Sequence, residues 1–85
     1  MTREEIYTKL KGIIKETFRD EVSLDNVNED TDLVEAIGVN SIVGIEILVR
    51  SEGEFGITID DEDLSIELIQ TLSTLADYIE KKMEE

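Results

Sequence analysis

Residues 42–49 read IVGIEILV, and the class of the fold turns on how that run is taken. Its β-branched residues suit a buried strand. The polar run that follows, RSEGE at 50–54, favours a helix instead, with Ile42, Ile45, Leu48 and Val49 marking one face from Asn40 or Ser41 to about Glu54. Gly44 costs that helix up to about 1 kcal/mol relative to alanine. The helix opens behind Gly38, and Asn40 and Ser41 are short polar residues of the kind that satisfy the free N–H groups of a first turn. Ser41 raises a further question, because the chain has no histidine and no cysteine to activate it or work beside it.

Upstream, Ile6, Leu10, Ile13, Ile14 and Phe18 share one helical face, and Thr2 with Glu5 forms a capping box, which predicts a first helix from about residue 3 to 18. The next stretch, RDEVSLDNVNEDTDLVEAIG at 19–38, is polar but holds Val22, Leu24, Val27, Leu33, Val34 and Ile37 at irregular intervals. It reads as a long loop pinned to a core, with a short helical turn able to start at Thr31 to Leu33. Downstream, FGITIDDEDLS turns at Gly56, extends through Ile57 and Ile59, and offers Asp60 or Asp61 as the cap of a very short helix. Thr71 then caps a terminal helix whose Leu72, Leu75, Ala76, Ile79 and Met83 share a face. The expected fold is all-α: a small four-helix bundle, three main helices plus one short helix, with a long loop between the first two main helices.

Composition narrows the function classes. An 85-residue chain with 40% hydrophobic residues is expected to form a single domain over residues 1–85 with one core, and its regular apolar spacing argues against disorder despite a net charge of −14. Without cysteine there is no disulfide and no thiolate metal site, and no apolar run approaches the roughly 20 residues of a membrane span. The N-terminus lacks the apolar segment of a signal peptide, so a soluble cytoplasmic monomer is expected. Five of the eight basic residues lie in the first nineteen positions, and between residues 20 and 80 seventeen acids face Arg50 alone. Such a surface repels nucleic acid and anionic lipid and steers basic partners toward it.

GVNSI at 38–42, followed by EFGITIDDEDL at 54–64 and TLSTLADYI at 71–79, resembles the acyl and peptidyl carrier proteins, in which a G-x-D-S-[LI] motif opens the second main helix. The resemblance covers essentially the whole chain. It implies that Ser41 matches the serine that receives a 4′-phosphopantetheine arm from coenzyme A by the action of a phosphopantetheinyl transferase. On that reading Ser41 is a substrate and needs no histidine, and the arm brings its own thiol, so the chain needs no cysteine and is not an enzyme. The implied function is to hold an acyl or aminoacyl group as a thioester and present it to acyl-activating, acyl-transferring or synthase enzymes of lipid or secondary-metabolite biosynthesis.

The resemblance also implies that partners dock on the second main helix, at Asn40, Ile42, Val43 and Glu46. Asn40 departs from the usual aspartate, Val43 from an often polar residue, and Arg50 with Ser51 from a pair commonly Ala-Leu. The helix therefore carries Glu46, Glu52 and Glu54 against one base, less acidic than fatty-acid carriers generally show, which points to a specialised stand-alone carrier.

Other constellations carry less. Aligned as an EF-hand on Asn26, Asn28 and Asp30, the acidic loop has Thr31 where glycine belongs and Ile37 where the bidentate glutamate belongs, so an EF-hand is excluded. Asp60, Asp61 and Asp63 offer at most a loose divalent site, since acids are in any case favoured at a helix N-terminus. Tyr7 and Tyr78 read as the edge of the core. An unmodified acidic adaptor, or a nucleic-acid mimic presenting carboxylates to a basic protein, would explain the charge but not GVNSI.

Overall fold

In the computed structural model, which describes residues 1–85, the run 42–49 lies inside a 15-residue helix and no strand forms. Four α-helices follow one another: α1 (Arg3–Thr17), α2 (Leu33–Ile37), α3 (Ser41–Phe55) and α4 (Leu72–Met83). Two 3₁₀ turns, Asp61–Asp63 and Ile66–Ile69, lie between α3 and α4. The all-α bundle with a long first loop is therefore the fold. The short helix falls at α2 inside that loop, while the segment after Asp60 forms only 3₁₀ turns. Asp60 precedes the first of them without a side-chain capping bond, and its carboxylate accepts from Lys82 Nζ at 2.9 Å.

Local chemistry sets the boundaries. Thr2 and Glu5 close the capping box on α1, Thr71 Oγ1 accepts from the Thr74 N–H at 3.1 Å to start α4, and Gly56, at φ 66°, ends α3 in the left-handed region that glycine enters without a Cβ penalty. The core draws Ile6, Leu10, Ile13 and Ile14 from α1, Ile47, Leu48 and Phe55 from α3, and Leu72, Leu75, Ala76 and Ile79 from α4. Leu24, Val27, Leu33 and Val39 from the first loop and α2 region, with Ile59, Leu68 and Ile69 from the segment between α3 and α4, complete it, so the first loop is pinned as its apolar residues imply. Tyr7 and Tyr78 pack half-buried against its edge.

The face of α3 differs from the expected one. Gly44, Ile47, Leu48, Ser51 and Phe55 are buried, whereas Ile42, Ile45 and Val49 point to solvent. Two stripes of this helix are apolar, and the one that packs is the one whose small residues, Gly44 and Ser51, permit close approach. Ser51 is fully buried and donates through Oγ to the Ile47 carbonyl at 2.8 Å, leaving no unpaired polar group in the core. Met83, expected on the packed face of α4, is likewise exposed.

α1 and α3 run antiparallel, since Lys9 pairs with Glu54 at 3.1 Å and Glu16 with Arg50 at 3.2 Å. The start of α1 is fastened to α4 by Arg3, which bonds Glu80 and Asp77, donates to the Tyr7 hydroxyl at 3.0 Å and lies 5.4 Å from the Tyr7 ring centroid. These partners raise the Arg3 guanidinium above its ordinary value, Asp77 first and Tyr7 next. Because its carboxylate partners Asp77 and Glu80 are exposed to solvent, Arg3→Ala is expected to cost only about 1 kcal/mol, at the upper end for surface ion pairs. Urea denaturation reads this directly, and a midpoint equal to the parent's would show that the cluster adds nothing to stability.

Candidate cofactor attachment site

The approach to Ser41 begins at Asp32, whose Oδ1 accepts from the N–H groups of Val34 at 2.9 Å and Glu35 at 3.2 Å and so caps α2. Its Oδ2 accepts from Gln70 Nε2 at 3.0 Å, and the Leu33 N–H donates to the Gln70 carbonyl at 2.8 Å. α2 is thereby tied to the residue that follows the second 3₁₀ turn. Gly38, in the left-handed region at φ 73°, ends α2, and the buried Val39 anchors the chain before it enters α3.

The Gln70 bond and then the Glu35 N–H hold the Asp32 carboxyl below its ordinary value. A depressed folded-state pKa contributes stability above the unfolded value, about 4, that is lost as pH falls through the folded value. Asp32→Asn retains an acceptor for the cap but removes the titration. Its thermal midpoint is expected to fall less steeply than the parent's below about pH 4.5, and parallel curves would refute the role given to Asp32.

Asn40 is the N-cap of α3, its Oδ1 accepting from the Val43 N–H at 2.9 Å, and Ser41 is the first helical residue with its side chain exposed. The N–H groups of Ser41 and Ile42 donate to nothing in the protein, and no acid lies in the first turn. These free amides and the helix dipole suit an anion at Ser41. Next to Ser41 is a cleft of about 70 Å³, walled by Gly44, Ile45 and Leu48 of α3 and by Leu64, Ser65, Ile66 and Ile69 opposite. A wider polar groove of about 320 Å³ between α1 and α3 is lined by the Lys9–Glu54 and Arg50–Glu16 pairs and lies away from Ser41.

Of the expected docking residues, Ile42 is 81% exposed beside Ser41, while Val43 is half-buried against the core. Glu46 pairs with Arg50 at 3.3 Å. At the other acidic cluster, Asp60 is engaged by Lys82 and Asp63 accepts from the Tyr78 hydroxyl at 2.8 Å, and nowhere do three metal-ligating side chains converge. The cleft wall at Leu64–Ile69 had no sequence signal. The Asp32 cap did have one, an aspartate directly before LVEAI.

A family model described as a phosphopantetheine attachment site matches residues 8–79. The chain is 38% identical over 82 residues to an acyl carrier protein of Thermotoga maritima, covering 96% of each. It is 34% identical to one of Lactobacillus acidophilus, over 93% of this chain and 94% of that one. It is also 31% identical to one of Petrotoga mobilis, over 98% and 93%. The chain belongs to the acyl carrier protein family.

As an acyl carrier protein it is a carrier and not a catalyst, and its prosthetic group is 4′-phosphopantetheine. The first turn of α3 fits the phosphodiester of that group: two amides have no partner in the protein, the cap is a neutral asparagine, and the helix is long enough for its dipole to count. A phosphopantetheinyl transferase and acyl-handling enzymes are its partners. No helix is long and apolar enough to cross a membrane.

Proposed function

We propose that Ser41 carries the 4′-phosphopantetheine arm and that the protein, a single unit over residues 1–85, works as a monomeric cytoplasmic carrier that shows an acyl cargo to its enzymes across α3. The arm supplies the thiol on which the cargo rides as a thioester. The protein's own residues do the rest. Asn40 holds the first turn of α3 open to solvent, the free Ser41 and Ile42 amides receive the phosphate, and the apolar walls beside Ser41 offer the cargo a place out of water.

The observation that carries this reading is the exposed Ser41 hydroxyl at a helix N-terminus and at the mouth of an apolar cleft. The departures at Asn40 and Arg50 support a specialised carrier for lipid or secondary-metabolite enzymes. The test is incubation with coenzyme A and a phosphopantetheinyl transferase, followed by mass mapping of the peptide that contains Ser41. A chain left unmodified under conditions that load a control carrier would make it an acidic adaptor or mimic instead.

A further inference from the structure

The basic side chains fall into two sets. Arg3, Lys9, Arg50 and Lys82 each pair with a carboxylate of the fold. Lys11, Lys15 and Arg19 pair with none, and Lys81 of α4 is the one other unpaired side-chain cation. In a chain with 22 acids against 8 bases, neighbouring cations without a carboxylate partner are the exception. Lys11 and Lys15 stand one turn apart on α1, about 6 Å along its axis, and Arg19 follows at the same spacing just past the helix end. The Arg19 N–H still donates to the Glu16 carbonyl at 3.1 Å, which keeps the residue close to the last turn. Lys15 and Arg19 are exposed and Lys11 is half-buried, and Thr8 and Gly12, exposed on the same side of α1, are uncharged. Like charges four apart destabilise a helix, whereas a glutamate at position 11 would have paired favourably with Lys15. The dipole of α1 favours a cation in its last turn and so accounts for Lys15, but not for Lys11. Arg19 stands at φ 55°, in the left-handed region where glycine is free of strain, so the chain keeps a cation there against its backbone preference.

The groove toward α3 is walled on the α1 side by Lys9, Gly12, Ile13 and Glu16, and neither Lys11 nor Lys15 lines it. A ligand on the stripe therefore leaves α3 and Ser41 uncovered. Such a ligand is anionic, and it is also slender. The molecule measures 33 × 26 × 21 Å, and an anionic membrane or a long nucleic acid extends beyond the stripe to meet the seventeen acids of residues 20–80, which repel it. A short acidic polypeptide segment meets the three cations alone, because charges more than about 10 Å away are largely screened at 0.1 M salt. We propose that α1 is a second docking surface, on which Lys11, Lys15 and Arg19 hold an acidic segment of a partner protein while α3 and Ser41 stay free for the enzyme acting there. Exposed charge pairs are individually weak, so this contact tethers and releases readily, and it adds to a contact at Ser41 through effective concentration. The stripe does not depend on Ser41 being the attachment serine.

The experiment titrates the isotope-labelled protein with an oligoglutamate peptide at low salt and follows the amide shifts by nuclear magnetic resonance. Shifts are expected around Lys11, Lys15 and Arg19 and not along α3. The triple variant Lys11→Gln/Lys15→Gln/Arg19→Gln, checked for native helix content by circular dichroism, should bind about tenfold more weakly, since each exposed charge contributes roughly two- to threefold. A control, Lys9→Gln/Lys81→Gln/Lys82→Gln, has the same net charge and should lose less than about threefold. Equal losses in the two triple variants would reduce the effect to net charge and overturn the proposal. So would a parent whose shifts centre elsewhere or that does not bind the peptide. Anionic phospholipid vesicles or single-stranded RNA that bind the parent more tightly than the peptide would overturn it as well, since the stripe would then serve an extended polyanion and not a protein segment.

Discussion

Treatment with coenzyme A and a phosphopantetheinyl transferase is expected to add one phosphopantetheinyl group to the parent chain and none to Ser41→Ala. The expectation depends on position more than on residue type. Ser41 opens a 15-residue helix with its hydroxyl in solvent and with two neighbouring amides unpaired. By contrast, Ser51 is buried on the far side of the same helix and bonded to the Ile47 carbonyl, so no transferase can reach it. Ser65 lies on the opposite wall of the cleft, in no helix N-terminal turn of comparable length, and lacks the dipole that favours a phosphodiester at Ser41. Ser41→Ala should also fold normally. Alanine is the best helix former, and the cap belongs to Asn40, so stability should change by less than about 1 kcal/mol. Intact mass and a thermal melt on the same sample check both halves. A Ser41→Ala protein that still gains mass would place the arm elsewhere, and one that fails to fold would mean that Ser41 also stabilises the domain.

What the sequence shows of this architecture depends on which interactions are local. α1 and α4 are legible because cap, periodicity and core face all agree within one stretch of chain. Ile6, Leu10, Ile13 and Ile14 are buried behind the Thr2 box, as are Leu72, Leu75, Ala76 and Ile79 behind Thr71. α3 is legible as a helix but not in its orientation. Ile42, Ile45 and Val49 have the spacing of a core stripe, and a count of apolar residues cannot see that Gly44 and Ser51 mark the side that packs. The surplus stripe adjoins Ser41, and the proposed presentation of cargo across α3 would account for leaving it apolar at the surface. The cleft was illegible for another reason. Its far wall comes from 3₁₀ turns without capping bonds, placed by long-range contacts such as Leu33 to Gln70 and Tyr78 to Asp63. Ser41 itself was visible through GVNSI, while the neighbours that shape the space beside it were not.

That space leads to the second large effect, at Gly44. A Cβ built on Gly44 would lie 2.1 Å from Ile69 Cδ1 and 3.4 Å from its Cγ1, so Ile69 has its terminal methyl seated where an alanine side chain would be. Ile69 is 1% exposed and its only adjoining free volume is the cleft of about 70 Å³ that it lines together with Gly44. Gly44→Ala is therefore expected to push the Ile69 methyl into the cleft. Crowding of this kind costs about 1–3 kcal/mol, offset by up to about 1 kcal/mol of improved helix propensity, so the unloaded protein should melt only modestly lower. The functional loss should be far greater, because the space proposed for cargo is then filled by the protein's own side chain. Loading with butyryl-coenzyme A is expected to raise the parent's thermal midpoint by several degrees, since each buried methylene is worth about 0.8 kcal/mol and 1 kcal/mol shifts a domain of this size by roughly 4–8 °C. Gly44→Ala should show no such rise. Ile69→Val removes the clashing methyl, and the double variant Gly44→Ala/Ile69→Val should recover the rise and be more stable than the two separate losses predict, as coupled neighbours are. Strict additivity, or an undiminished butyryl effect in Gly44→Ala alone, would mean that cargo lies outside the cleft and that Ile69 does not govern its depth.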